Sequence, residues 1–105
     1  MRELKEKDIQ KQVMDWLEWR GHLVVKINNV GIRKENGSFI PPRQRGISDL
    51  LVCEKKTGRF CAIEVKRANG QLTIWQQNFL KDVEQRGGRA IVARNLNDII
   101  NNFKF

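Results

Sequence analysis

The sequence predicts a mixed α/β fold, a central sheet flanked by helices in the order αβββαβα. Three observations predict it. Apolar residues recur at helical spacing in the stretches that end at Gly21 and Gly87, and a β-branched run follows each of those glycines. Between them lie two further apolar runs separated by a short, glycine-containing polar turn, which is the pattern of an antiparallel hairpin.

The first helix is expected from about Leu4 to Arg20, with Gly21 supplying a left-handed C-terminal cap. Ile9, Val13, Trp16, Leu17 and Arg20 form its inward stripe, and Trp16 and Trp19 are expected as core and boundary aromatics. Glu6 and Gln10 extend that stripe backward. Glu6 therefore either turns a carboxylate inward or interacts with the helix dipole from the first turn. His22 to Ile27 reads as the first strand, with Lys26 near the open end of the sheet. His22 is the only histidine, which excludes a multi-histidine zinc site, and one residue past a cap glycine it is expected at the surface.

From Val30 to Gly46 the chain carries both of its prolines and reads as one long loop. Arg33, Lys34, Arg43 and Arg45 face a single acid there, Glu35, so the loop is either a solvated connector or a phosphate-contacting segment. Leu50 to Cys53 and Phe60 to Val65 form the hairpin around a turn of Lys55 to Gly58. Pairing Glu54 with Arg59 puts Asp49 opposite Glu64, and strand alternation puts Glu64 and Lys66 on that same face. Both faces of the hairpin carry apolar residues, as in a sheet between helix layers. Cys53 and Cys61 are expected to pack as reduced small hydrophobes.

After a turn at Arg67 to Leu72, a second helix is expected from Thr73 to Arg86. Leu72, Trp75, Phe79, Leu80 and Val83 form its inward stripe. Gln76 lies within that stripe and also matches a capping box with Thr73, so it is a substrate contact, a helix-start device, or both. Arg89 to Ala93 is a strand, expected parallel to the Glu64 strand through the intervening helix, and Asn95 caps a last helix running to about Phe103.

At 105 residues the chain is read as one domain spanning 1–105. No run approaches the ~20 apolar residues of a membrane span, and the start, MRELKEKDIQ, lacks the apolar core of a signal peptide, so a cytoplasmic setting is expected. A net charge of +8 implies a polyanionic partner, with nucleic acid the simplest candidate and neither a membrane nor a nucleotide cofactor expected. Two acids converging at the end of an apolar strand pair need a cation or strong hydrogen bonds to offset desolvation and repulsion. Their hard oxygens favour Mg²⁺ or Mn²⁺, while a buried ion pair with Lys66 is the alternative without chemistry.

An acid opening the second strand and E-x-K closing the third, in this element order, resembles the PD-(D/E)XK nuclease superfamily with its restriction-endonuclease-like core. Within it the chain resembles a VRR-NUC domain over nearly its whole length. The resemblance rests on Glu6-x-x-Ile9-Gln10, Arg20-Gly21-His22, Gly46-Ile47-Ser48-Asp49-Leu50-Leu51, Ile63-Glu64-Val65-Lys66, Gly70-Gln71-Leu72-Thr73-x-x-Gln76 and Gly87-Gly88. It departs at Ser48, where the family often has proline.

The resemblance implies that Asp49, Glu64 and the backbone carbonyl of Val65 ligate Mg²⁺ or Mn²⁺, and that Lys66 positions and polarises the attacking water. Glu6 would complete the acidic cluster, directly or through water, and Gln76 would orient Lys66 or the scissile phosphate. Lys26, Arg33, Lys34, Arg43, Arg45, Arg67 and Thr73 are the candidate DNA contacts. A homodimeric endonuclease selective for branched DNA, such as four-way junctions or flaps, is the implied assembly and activity. A non-catalytic DNA-binding module built on residues 30–46 is the competing expectation.

Overall fold

The computed structural model describes residues 3–28, 31–40 and 44–103. Helix α1 spans Glu6–Trp19, two residues inside the expected start. Its end is a Schellman turn: Gly21, at φ +92°, donates to Glu18, and His22 donates to Leu17. This reversal starts β1 (Leu23–Lys26) immediately after the helix.

The remaining elements are β2 (Ile32–Arg33), β3 (Phe39–Ile40), β4 (Leu50–Cys53), β5 (Phe60–Val65), α2 (Ile74–Gln85), β6 (Arg89–Ala93) and α3 (Leu96–Asn102). The main sheet has the order β1-β4-β5-β6, antiparallel except for the β5–β6 pair, which is parallel as the helical crossover requires. Leu50 pairs with Ile63 and Cys53 with Phe60, the expected register, so the next position places Asp49 opposite Glu64.

Strand alternation sorts the core into two layers. Leu50, Val52, Cys61, Ile63 and Val65 face α1 and α3, where Ile9, Val13, Leu17, Ile99 and Phe103 complete a closed apolar layer. Ala62 and Leu51 face the other way, under Leu80, Val83 and Phe79 of α2. That second layer covers β5 and β6 but not β1, so the expectation of two covered faces holds only in part. Leu23, Val25 and Phe60 remain exposed, and so does Cys53. Buried Cys61 does behave as a hydrophobe, desolvation pushing its thiol up to about 12. Trp19, expected at a boundary, is 79% exposed because the helix face beyond Leu17 meets no other element.

Two expectations are corrected by tertiary contacts. His22 is buried, at 8% exposure, because the Schellman turn carries it under α3. Its Nδ1 accepts from the Lys55 amide at 3.0 Å and its ring meets Phe103 edge-on at 5.2 Å. An accepting Nδ1 leaves the proton on Nε2, and burial lowers the pKa below its ordinary value. The long loop contains a β-ribbon, with Ile32 paired to Ile40 and Arg33 to Phe39. Asn36-Gly37 is the hairpin dipeptide that forms it: Gly37 sits at φ +88°, and Asn36 Oδ1 accepts from the Ser38 amide.

Candidate active site

The two acids arrive on adjacent strands. Asp49 precedes β4, its Oδ2 accepting from the Val65 amide at 2.8 Å, and Glu64 lies one residue before the end of β5. The N–H and C=O of an extended residue point the same way, so the Val65 carbonyl also faces the Asp49 side, beyond the end of the β4 ladder. Both carboxylates open into one cavity of about 450 Å³, formed by Ile27, Phe39, the segment Arg45 to Asp49, and the first turn of α2. The oxygens that could hold a cation there are those of Asp49, Glu64 and Val65.

Glu64 is 2% exposed. Its Oε1 accepts from Gln76 Nε2 at 3.1 Å, while Oε2 has no hydrogen-bond partner. Desolvation first, and then the neighbouring Asp49 charge, push its pKa from 4.5 up to about 8. Protonated Glu64 can share its proton with Asp49; ionised, Oε2 has no donor to meet. Lys66 lowers that pKa, and Glu6 raises it by the smallest of these contributions.

Gln76 performs the expected helix-start task and turns its remaining amide to Glu64. Its Oε1 accepts from the Thr73 amide while Thr73 Oγ1 accepts from the Gln76 amide, a full capping box. The remaining Nε2 holds Glu64, not Lys66. Helix start and acid orientation are thus coupled through one side chain.

Glu6, exposed in the first turn of α1, accepts from the Arg67 amide at 3.4 Å, one residue past Lys66, and is a weak contributor to the raised Glu64 pKa. No three His, Cys, Asp or Glu side chains cluster directly among the described residues. Lys66 is half-buried, its stem lying over Gly70. A residue the sequence did not reveal holds that segment: Arg94 Nη1 donates to the carbonyls of Arg67, Ala68 and Gly70. Its signal, a lone arginine after a strand, is indistinguishable from any surface charge.

Among the candidate DNA contacts, Arg45 and Thr73 line the cavity, and Arg45 stacks over Trp75 at 5.2 Å. Arg33 and Lys34 are exposed on the β2–β3 ribbon, and Arg67 is exposed beside Lys66. Lys26 ends β1 at the open end of the sheet, but it pairs with Leu50, whose side chain faces α1, so it lies on the opposite sheet face from Asp49, in a depression with Lys7, Gln10 and Lys11. Arg43 lies outside the described residues. Trp75, expected in the inward stripe of α2, instead stands at the cavity mouth, 50% exposed.

Gly46 fixes the approach to Asp49. Its φ is +77°, and a Cβ there would meet the Trp75 carbonyl oxygen at 2.1 Å. Gly46→Ala is expected to lower stability by about 2 kcal/mol, or roughly 10 °C in Tm by thermal scan, with the Asp49 segment pushed off α2. An unchanged Tm would show that the segment is not clamped.

The VRR-NUC domain model matches residues 4–95. Of the solved structures, a VRR-NUC domain is similar at 23% identity and TM-score 0.67, covering 95% of this chain and 97% of that one. A VRR-NUC domain protein is similar at 19% identity and TM-score 0.65, covering 98% of this chain and 88% of that one. No curated protein matches the chain.

Proposed function

The chain belongs to the VRR-NUC family of nucleases, and from that premise we propose that it is a Mg²⁺- or Mn²⁺-dependent endonuclease hydrolysing phosphodiester bonds in DNA. One observation carries the reading: two carboxylates from paired strands converge on one cavity, and the buried one presents an oxygen with no partner. A hard divalent cation fits this donor set, because it would meet that oxygen, offset the repulsion that raises the Glu64 pKa, and bind the carbonyl-type oxygen of Val65.

Asp49, Glu64 and the Val65 carbonyl would hold the ion; when bound, it lowers the pKa of water and neutralises phosphate charge. The chain's own residues do the rest. Gln76 holds the Glu64 carboxylate in place from the α2 cap. Lys66, its stem supported by the turn that Arg94 fastens, orients the attacking water and stabilises negative charge building on the phosphoryl oxygens. Arg45 and the cations of the ribbon bind flanking phosphates, consistent with the surplus of +8. A homodimer with selectivity for branched DNA extends this reading. The exposed Leu23 and Val25 of edge strand β1, with Phe60 of β5 on the same sheet face, support the dimer as an apolar face suited to a second copy.

The test is cleavage of supercoiled, four-way, flap and linear duplex DNA, with matched RNA, by one preparation. Cutting of DNA in Mg²⁺ or Mn²⁺ and none in EDTA is expected. Binding without cutting in every divalent metal would replace the enzyme with a DNA-binding module, and cutting confined to RNA would replace the substrate.

A further inference from the structure

The cavity is larger than its chemistry needs. At about 450 Å³ it equals the volume of about fifteen waters, well beyond one ion and one phosphoryl group. Its inner end is polar, at Asp49, Glu64 and Gln76, and its mouth is flanked by two aromatic rings, Phe39 from β3 and Trp75 from α2. Both rings are half exposed, at 54% and 50%.

Each ring has a cation against it: Arg45 lies 5.2 Å from the Trp75 ring and Arg33 lies 5.9 Å from the Phe39 ring. Glycines make room for the Phe39 ring and for the Trp75 backbone. A Cβ on Gly31 would come within 2.2 Å of the Phe39 ring, and Gly46 packs against the Trp75 carbonyl. Solvent-facing rings backed by guanidinium groups have the chemistry of a nucleobase platform between phosphate contacts.

Resting on the nuclease reading of this same cavity, we propose that Phe39 and Trp75 receive one unpaired base next to the scissile phosphate, and so select DNA with an unpaired or extruded nucleotide at the cut. A base inside a regular duplex offers its faces only to its stacked neighbours, so the rings can engage it only after it leaves the helix. Mismatched, flapped or junction nucleotides leave at the lowest cost. Phe39 and Trp75 are thus specificity-determining residues, while Asp49, Glu64 and Lys66 act on the phosphate.

The experiment compares a duplex carrying one unpaired nucleotide beside the cut with the same duplex carrying an abasic unit there. Wild type should cut the first about 10- to 100-fold faster, the range set by one base–aromatic stack. Phe39→Leu and Trp75→Leu should each lose most of that preference, Trp75→Phe should keep it, and ring loss and base loss should not multiply. Equal rates on the two substrates, or variants that slow both alike, would overturn the proposal. A second arm uses Asp49→Asn protein, without cleavage, and 2-aminopurine as the unpaired base. Quenching that disappears on adding Trp75→Leu supports the platform even if wild type cuts nothing, the outcome that would instead defeat the nuclease reading. Unquenched 2-aminopurine in a bound complex would overturn the platform alone.

Discussion

Asp49→Asn reduces Mg²⁺-dependent cleavage by at least about 1,000-fold, the scale seen when a preorganised charge-stabilising group is removed. Folding should survive, because asparagine keeps a side-chain oxygen to accept from the Val65 amide, the bond Asp49 makes at 2.8 Å. Alanine would strand that amide, so the isosteric change is the cleaner measurement. Single-turnover cleavage of the preferred DNA, with circular dichroism to verify the fold, decides it. A variant that retains a tenth of wild-type activity would remove Asp49 from the reaction.

Glu64→Gln makes the metal-free protein more stable while abolishing cleavage. Ionised Glu64 sits desolvated beside a second carboxylate, and its folded pKa of about 8 lies above the ordinary 4.5. Between those values the folded state binds more protons than the unfolded state, so this group's contribution is intact below pH 4.5 and is lost as pH rises through 8. Glutamine removes that slope. It can still accept from Gln76, and its amide can donate to Asp49 as the protonated acid does.

In EDTA at pH 8.5 the variant should therefore exceed wild type by on the order of 3 kcal/mol, or about 10 °C in Tm, and the difference should shrink toward pH 5. Mg²⁺ should raise the Tm of wild type at pH 8.5 and leave the variant nearly unmoved. Equal Tm for the two proteins across this range would mean that the cavity admits enough water to solvate Glu64.

The hairpin and its acids were legible in the chain because their information is local. Glu54-Lys55-Lys56-Thr57-Gly58-Arg59 sets a turn, the turn sets the register, and the two-residue period then places Asp49 across from Glu64. The capping box of Thr73 and Gln76 was readable on the same grounds. The β2–β3 ribbon was not, although Asn36-Gly37 announced its turn, since neighbouring glycine and proline hid strands of two residues each. Helical spacing gives the direction of the Glu6 side chain, whereas its partner, the Arg67 amide, is set by how α1 packs beside the end of β5.

Composition, turn chemistry and side-chain period thus determined by themselves the order of the helices and main-sheet strands, the facing carboxylates and the positive charge of the chain. Only the tertiary structure decided which of those groups lose water. Glu64 owes its raised pKa to the elements packed over it, His22 its burial to Phe103, and Trp75 its exposed ring to Arg45 and Gly46. Period and turn geometry depend on adjacent residues, whereas desolvation depends on what distant segments cover, and that is set when the layers close.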